Sequence, residues 1–331
     1  MAAAKKIDMI KNIPLLALLF VTVLSCVDND KVIMLESTGR INHVLVVMKN
    51  SDWDGDVGTA IKNIVTTPVE GLPQEENQFS INQVSPSAFN NLFKRTRNIL
   101  FVGYDSITNF YSNKNIYANP QITLTILGKN KEDLIDNINS HKDELINIFK
   151  TNDLKLYQKK ITKDHHKVNN IETFNKHGFN LKIPISYKKV EDTGDFAWYR
   201  YEITKGMLNI VAYEIPYYFE DDFNVSDILT IRDSIGKKYI PGQFENTYMM
   251  TEHLYNTVVK EVIVSGKKAI ETRGLWLVKN DFMGGPFLNY TFADKKNHQL
   301  IIIEGFSYSP STKKRDFVFE LESILKTIVF E

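Results

Sequence analysis

The second half of the chain contains the stretch 256–306, with the sequence NTVVKEVIVSGKKAIETRGLWLVKNDFMGGPFLNYTFADKKNHQLIIIEGF. Runs of valine, isoleucine and aromatic residues alternate here with short polar segments, a pattern typical of strands joined by tight turns. The pattern predicts four strands, at 256–264, 268–278, 286–292 and 299–306. Successive strands joined by connections this short pair antiparallel, so the stretch predicts an antiparallel sheet.

Further elements predicted from the second half extend this sheet. The predicted elements are a strand at 178–184 (GFNLKIP), a hairpin of 196–203 with 207–215, a helix from 225 to 235, and a closing helix from 314 to 329. Phe317, Leu321 and Ile324 lie on one stripe of the closing helix. Such a helix needs an apolar surface to cover, so we expect it to pack against the sheet.

The first half of the chain has the predicted order β-α-β-α-β-β-α. It begins with the valine-rich strand 42–49 (NHVLVVMK), and its last helix begins near Lys131. Residues 164–177 are polar and show little periodicity, which predicts a linker. We therefore expect an α+β protein with two domains, 39–163 and 178–331, each a mostly antiparallel sheet with helices packed on it.

The N-terminus has the pattern of an export signal. The first eleven residues contain three lysines, and residues 13–24 follow without a charge. Twelve helical residues span about 18 Å, which is less than the roughly 30 Å of a bilayer's hydrocarbon core. The segment therefore predicts the apolar region of a signal peptide instead of a membrane-spanning helix.

The apolar run ends at Val23-Leu24-Ser25-Cys26, which resembles a bacterial lipobox. The resemblance implies that a diacylglycerol is attached to the Cys26 thiol, that residues 1–25 are removed, and that 26–38 form a tether. A plain secretory signal with a chance cysteine is the alternative. No aspartate follows Cys26 directly, so we expect an outer membrane lipoprotein, on either the periplasmic face or the cell surface.

Charge and cysteine content exclude other classes of protein. The 306 residues from Cys26 onward carry 37 basic and 39 acidic side chains. A nucleic-acid-binding protein needs a cationic surface, so the sequence predicts no nucleic acid partner. Cys26 is the one cysteine, which excludes an intrachain disulfide and a zinc site built from several thiolates. Membrane contact is expected through the N-terminal lipid.

Short motifs are distributed over nearly the whole chain. They are the lipobox, Gly39-Arg40, Val44–Met48 with Ser51-Asp52-Trp53-Asp54-Gly55, Trp198-Tyr199-Arg200, Gly284–Phe287 and Gly305–Tyr308. Together they resemble a lipoprotein family of Bacteroidota, domain of unknown function 4837. The resemblance implies an envelope lipoprotein and supplies no activity. The start of the second half and its amphipathic closing helix also resemble the fold of the photosystem II extrinsic protein and of a Ran-binding import factor.

Motifs for metal or catalytic chemistry are weak. Asp52, Asp54 and Asp56 have the alternating spacing of a calcium loop, but Val57 stands where an EF-hand needs glycine and Asn63 where it needs glutamate. A polar loop in which Asp56 caps a helix is the favoured interpretation. The seven histidines show no HExxH spacing, and Gly-x-Ser-x-Gly is absent. The sequence therefore predicts no cofactor, and no metal beyond this weak candidate.

Aromatic residues beside arginine are the remaining candidates for binding. Trp198 and Arg200 lie on one predicted strand, Arg273 and Trp276 lie on another, and Trp53 lies in a loop. Tryptophan and arginine dominate binding hot spots, although core packing explains most aromatic residues on strands. We therefore expect a non-enzymatic binding or accessory module for an envelope protein or glycan. The alternative is an envelope hydrolase whose catalytic residues converge only in space.

Overall fold

The computed structural model describes residues 34–217 and 225–331. The predicted lipidation site Cys26, the signal peptide and most of the predicted tether lie outside the described residues. Within the described ranges, no helix is both long enough and apolar enough to cross a membrane.

The described part of the first half contains five strands and five α-helices. The strands are β1 (His43–Val47), β2 (Ser80–Val84), β3 (Asn98–Tyr104), β4 (Asn109–Lys114) and β5 (Ile122–Gly128). The helices are α1 (Asn50–Trp53), α2 (Asp56–Val65), α3 (Asn91–Lys94), α4 (Lys131–Ser140) and α5 (Lys142–Ile161). The predicted long helix is therefore interrupted at His141, between α4 and α5.

The sheet of the first half is mostly parallel, so the expectation of a mostly antiparallel sheet is wrong for this part. The strand order is β2-β1-β3-β5-β4, and only the β4–β5 pair is antiparallel. The connections from β1 to β2 and from β2 to β3 contain helices, and a helical crossover lets the next strand run in the same direction. Residues 44–47 are buried, as is typical of a parallel strand covered on both faces.

Helices α2, α4 and α5 cover one face of this sheet. Their apolar side chains pack with Val44, Val46 and Met48 in one core cluster. On the other face, Leu45 and Val47 pack against Phe89 and Phe93 around α3. The valine-rich strand predicted at 42–49 is thus central to the first half.

Among the residues that the structure describes, the second half contains ten strands and three α-helices. The strands are β6 (Phe179–Asn180), β7 (Lys188–Asp192), β8 (Phe196–Ile203), β9 (Gly206–Pro216), β10 (Met249–Thr251), β11 (Val258–Val264), β12 (Lys267–Val278), β13 (Gly284–Asp294), β14 (Gln299–Tyr308) and β15 (Val329–Phe330). The helices are α6 (Glu172–His177), α7 (Val225–Tyr239) and α8 (Arg315–Leu325).

The large sheet of the second half is antiparallel, with the order β10-β12-β13-β14-β9-β8-β7. Strand β11 pairs with β12 beyond the segment that pairs with β10. The stretch 256–306 contains β11 to β13 and most of β14, close to the predicted bounds, and the α+β fold class is confirmed. Helix α8 packs on one face, where Leu321, Ile324 and Leu325 are fully buried.

The two halves share contacts within the compact unit 36–331. The carboxylate of Glu76 accepts hydrogen bonds from the backbone N–H groups of Lys314 (2.6 Å) and Arg315 (3.1 Å), at the start of α8. Within the predicted linker 164–177, helix α6 buries Phe174 completely. The division into two domains stays a prediction.

Candidate functional site

A groove of about 570 Å³ lies at one end of the large sheet, where β12 begins, β13 ends and β14 begins. The lining residues are neighbours because of the strand pairing. Ile270 of β12 pairs with Thr291 of β13, and Phe292 of β13 pairs with Ile301 of β14. The C-terminal strand β15 borders the same space through Phe330. Three distant parts of the sequence therefore form one groove.

Apolar side chains dominate the groove's floor. Ala269, Phe292 and Ile301 are almost fully buried there. The ring of Phe330 meets that of Phe292 edge to face, with centroids 5.0 Å apart. Strand β15 is held in place because the Ser265 hydroxyl donates to the carbonyl of Ile328. Ile270 and Phe330 are only partly buried and Ala293 is exposed, so an apolar ligand segment would remove their remaining surface from water, which favours binding.

The rim of the groove carries more cations than carboxylates. Lys267, Lys268 and Lys295 lie there, together with Glu261 and Asp294. Partial burial alone would raise the pKa of Asp294, but hydrogen bonds from Asn297 and Gln299 hold that pKa below its usual value. The Lys267 ammonium lies 3.9 Å from the centre of the Phe330 ring. The rim thus offers positive charge beside an apolar floor.

The predicted binding residues on β8 have internal partners. Trp198 is 6% exposed, and its indole N–H donates to Asn209 Oδ1 at 3.0 Å. The Arg200 guanidinium lies 4.8 Å from the Trp198 ring, and its Nε donates to the same Asn209 oxygen. The cation–π pair of Arg200 is therefore with Trp198 of its own strand. These contacts order the strand and cover the indole.

Arg273 and Trp276 on β12 are also buried. Arg273 donates to Glu271 Oε1 at 2.7 Å and to Glu322 Oε2 at 2.9 Å, so its charge is balanced inside the protein. The indole N–H of Trp276 donates to the Ser307 carbonyl at 3.3 Å. Both side chains pack inside the protein, and neither lies on an exposed surface.

The segment predicted as a loop is mostly helical, because Asp52 and Trp53 lie in α1 and Asp56 is the first residue of α2. Its carboxylates and Trp53 do not assemble a ligand set. The Lys62 ammonium lies 4.2 Å from the centre of the Trp53 ring. Asp52 accepts a hydrogen bond from the Tyr104 hydroxyl, and Asp56 pairs with Lys131 at 2.9 Å. Asp54 is an exposed residue at the end of α1. In the part of the chain that the structure describes, these carboxylates are not among the side chains grouped closely enough to hold a metal.

One acid–base pair bears on the hydrolase alternative. His253 Nε2 lies 2.9 Å from Asp233 Oδ2, and Thr251 is beside them. The threonine hydroxyl donates to Asp233 Oδ1 and accepts from Arg232 Nη1 at 3.0 Å. A nucleophile must instead bond to the histidine that removes its proton. The arrangement therefore lacks the order of a catalytic triad.

Each half of the chain matches the model of a different protein family. Residues 165–327, which contain the groove's β12 to β14, match the family described as Domain of unknown function (DUF4837). This part of the chain is therefore similar to that family. Residues 37–162 match a second family, Domain of unknown function (DUF8532). The predicted resemblance to the DUF4837 family is confirmed for the second half.

No curated protein matches this chain in sequence. Among solved structures, LpqN, described as involved in cell envelope biogenesis of Mycobacterium tuberculosis, is 11% identical, with a TM-score of 0.29. The match covers 46% of this chain and 82% of LpqN. The lipid transfer and protein localization domain of human StarD13 (DLC2) is 7% identical, with a TM-score of 0.21, and the match covers 42% of this chain and 86% of that domain.

Sequence reasoning missed the groove of the DUF4837 region. Its floor consists of strand residues that any sheet core would contain, and Phe330 lies in a segment predicted to follow directly on a helix. The lysine pair Lys267-Lys268 is visible in the sequence, but it reads as a turn beside a strand. Only the pairing of β12 with β13 shows that these lysines border an apolar surface.

Proposed function

We propose that this protein is a non-enzymatic, lipid-anchored envelope lipoprotein whose second half binds an amphiphilic anion in the groove. The observation that carries the proposal is the combination of an apolar floor with a lysine rim in a space of about 570 Å³. Ligand pockets for small molecules have volumes of roughly 300–1,000 Å³. An acyl chain with a carboxylate head satisfies both surfaces at once.

The aromatic residues favour an amphiphile over a glycan. Sugar rings stack on open aromatic faces, but three of the aromatic rings already have a cation over them. The pairs are Lys267 with Phe330, Lys62 with Trp53, and Arg200 with Trp198. Displacing a cation from a ring would cost part of the binding energy. An envelope protein that presents an apolar side chain next to a carboxylate is the second candidate partner, because it offers the groove the same chemistry.

The anchor is proposed from the sequence alone. Cys26 follows a small residue at the end of an apolar run, and several acyl chains at about 0.8 kcal/mol per buried CH₂ hold a protein firmly on a bilayer. Metabolic labelling with an alkyne fatty acid tests this: we expect label on the wild type and none on Cys26→Ser. Label on the serine variant would contradict lipidation at Cys26. Protease treatment of intact cells then separates the two faces of the outer membrane.

Titration calorimetry with dodecanoate, below the concentration at which it forms micelles, tests the groove. We use the full chain carrying Cys26→Ser, so that no detergent is needed. Dodecanoate should bind one to one, and dodecanol should bind more weakly because it lacks the anion. Ala293→Trp should weaken binding, because exposed Ala293 lines the groove and a bulky side chain there leaves less space for a ligand.

Charge reversal at the rim gives a second variant with a matched control. Lys268→Glu should weaken binding of dodecanoate by about fivefold, the factor that about 1 kcal/mol represents. Lys189→Glu, on the opposite edge strand β7, should leave the affinity unchanged. Equal affinities in the wild type and Ala293→Trp, with both folded by circular dichroism, would rule out the groove as the ligand site.

A further inference from the structure

Three side chains with metal-binding atoms converge where the end of α6 meets the β7–β8 loop and strand β9. His177 is the last residue of α6, Asp195 immediately precedes β8, and Glu214 lies on β9. One ligand atom from each lies within 4.8 Å of the others. The side chains of His177 and Glu214 are 8% and 14% exposed, and that of Asp195 is 54% exposed. The cluster is thus open to solvent on one side only.

A backbone carbonyl fixes the proton of the imidazole. His177 Nε2 lies 3.0 Å from the carbonyl oxygen of Gly194. A carbonyl only accepts hydrogen bonds, so Nε2 carries the hydrogen. In the neutral ring, Nδ1 is then an acceptor, and it faces Glu214 Oε2 at 3.9 Å. Two acceptor atoms this close in a mostly buried place are stabilised by a proton or by a cation bound between them.

The carboxylates are also crowded. Ligand atoms of Glu214 and Asp195 lie within 4.8 Å of each other. The Lys176 ammonium and His177 Nε2 both contact Oδ1 of Asp195. The other oxygen of Asp195, Oδ2, is therefore the one that we assign to an additional cation.

We propose that His177 Nδ1, Glu214 and Asp195 bind one divalent transition-metal ion, for which Zn²⁺ is the best fit. Zinc bonds to imidazole nitrogen and carboxylate oxygen measure about 2.0–2.2 Å, so two such bonds reach across the 3.9 Å between Nδ1 and Glu214 Oε2. An imidazole ligand favours zinc over calcium or magnesium, which prefer oxygen.

The neighbouring backbone fits a zinc ligand as well. A histidine that binds zinc ordinarily donates its other ring N–H to a carbonyl or carboxylate, which fixes the orientation of the ring. Gly194 supplies that carbonyl here. Three protein ligands leave a fourth position for water, as expected of an open zinc site.

The ion would fasten the end of α6 to β9, in addition to the contacts that Lys176 and His177 already make with Asp195 and Gly194. At its start, the Asp192 carboxylate accepts the backbone N–H groups of Glu172 (2.8 Å) and Thr173 (3.1 Å). At its end, the metal would join His177 to β9 through Glu214. This inference does not depend on the proposed function, because the groove shares none of these residues.

Calorimetric titration of Zn²⁺ into the full chain carrying Cys26→Ser, purified without a histidine tag, tests the site. The serine variant removes the one thiol of the chain. We expect one Zn²⁺ per chain, a rise in the melting temperature, and no competition from Ca²⁺ or Mg²⁺. His177→Ala and Glu214→Gln should each weaken Zn²⁺ binding by more than roughly 100-fold, the upper range for loss of a supporting contact alone.

Two further measurements keep the test decisive. His253→Ala should leave Zn²⁺ binding unchanged, because His253 pairs with Asp233 at another place. Co²⁺ should give a ligand-field absorption band that is lost in Glu214→Gln, a variant that keeps the size of the side chain. Absence of Zn²⁺ binding, retention of binding in both ligand variants, or a doubly protonated His177 ring in nuclear magnetic resonance spectra that Zn²⁺ leaves unchanged would overturn the proposal.

Discussion

Both halves of the molecule bury an arginine beside a carboxylate, but the balance of charge differs between them. In the first half, Arg97 Nη1 lies 3.2 Å from Asp153 Oδ1, and both side chains are buried. In the second half, Arg273 contacts Glu322 at 2.9 Å, and Lys150 and Lys326 approach the same carboxylate at 3.0 Å and 2.7 Å. One cation faces the first carboxylate and three face the second.

This difference sets opposite directions for the two pKa values. Burial raises the pKa of Asp153 above its usual value, and the attraction of Arg97 with three hydrogen bonds does not fully offset it. Burial also acts on Glu322, but Lys150, Arg273 and Lys326 together hold its pKa well below the usual range. Helix α5 contributes to both sites, with Asp153 directed to the first sheet and Lys150 to α8. The number of cations, more than burial itself, decides the direction.

The largest expected effect is the loss of the charge on Glu322. Glu322→Gln would leave two lysines and an arginine without their shared anion in a buried place. Removing one partner of a buried ion pair costs about 3–5 kcal/mol of unfolding free energy. Urea denaturation at pH 7 measures this change. Glu144→Gln, an exposed position on α5, is the control and should change stability little.

The pH dependence of this variant follows from the lowered pKa. A lowered folded-state pKa contributes stability above the unfolded value, near 4.5 for this carboxyl, and loses it as the pH falls through the folded value. The difference in unfolding free energy between the wild type and Glu322→Gln should therefore shrink below about pH 4.5. A constant difference down to pH 3 would contradict the assigned ionisation of Glu322.

An intermediate effect is expected where the two halves meet at the start of α8. Lys314 and Arg315 place two cations at the helix N-terminus, where the dipole favours negative charge, and Glu76 supplies that charge. In Glu76→Gln the side chain has one acceptor oxygen instead of two and no charge, so we expect the free energy of unfolding to decrease by about 1–2 kcal/mol. Thermal unfolding measures it, with the exposed neighbour Glu75→Gln as control. Equal melting temperatures for the two variants would show that Glu76 does not stabilise α8.

Local pattern predicted the elements of the second half well because its strands are long and its turns short. The stretch 256–306 yielded β11 to β14 in the correct order. In the first half, the predicted order was correct around β1, but the direction of pairing depends on helical crossovers. A strand such as Asn109–Lys114 is mostly exposed and polar, so nothing in its composition marks it as the edge strand β4.

The candidate sites could be predicted much less well from the sequence. Trp198 and Trp276 were chosen for their residue types, yet the pleat of β8 and β12 directs both into the interior. The proposed metal ligands match no sequence motif for metal binding, because about 20 residues separate His177 from Asp195 and Asp195 from Glu214. Only the packing of α6 on the β8–β9 hairpin brings them together. Sites that form between elements leave no local trace in a single sequence.

The smallest expected effect, with the opposite dependence on pH, comes from Asp153→Asn. Burial already disfavours the ionised carboxylate of Asp153. In the variant, Arg97 still donates to the carbonyl oxygens of Gly39 and Arg40, so we expect the free energy of unfolding to fall by only about 1 kcal/mol at pH 7. A raised folded-state pKa gives stability that is full below the unfolded value, 3.8, and is lost as the pH rises through the folded value. The difference between the wild type and Asp153→Asn should therefore widen as the pH falls. Urea denaturation from pH 7 to pH 3, with exposed Asp136→Asn as control, measures the slope. If the difference in unfolding free energy between the wild type and Asp153→Asn instead decreases as the pH falls, as expected for Glu322→Gln, the attraction of Arg97 outweighs the effect of burial. The two buried carboxylates would then be stabilised in their ionised form in the same way.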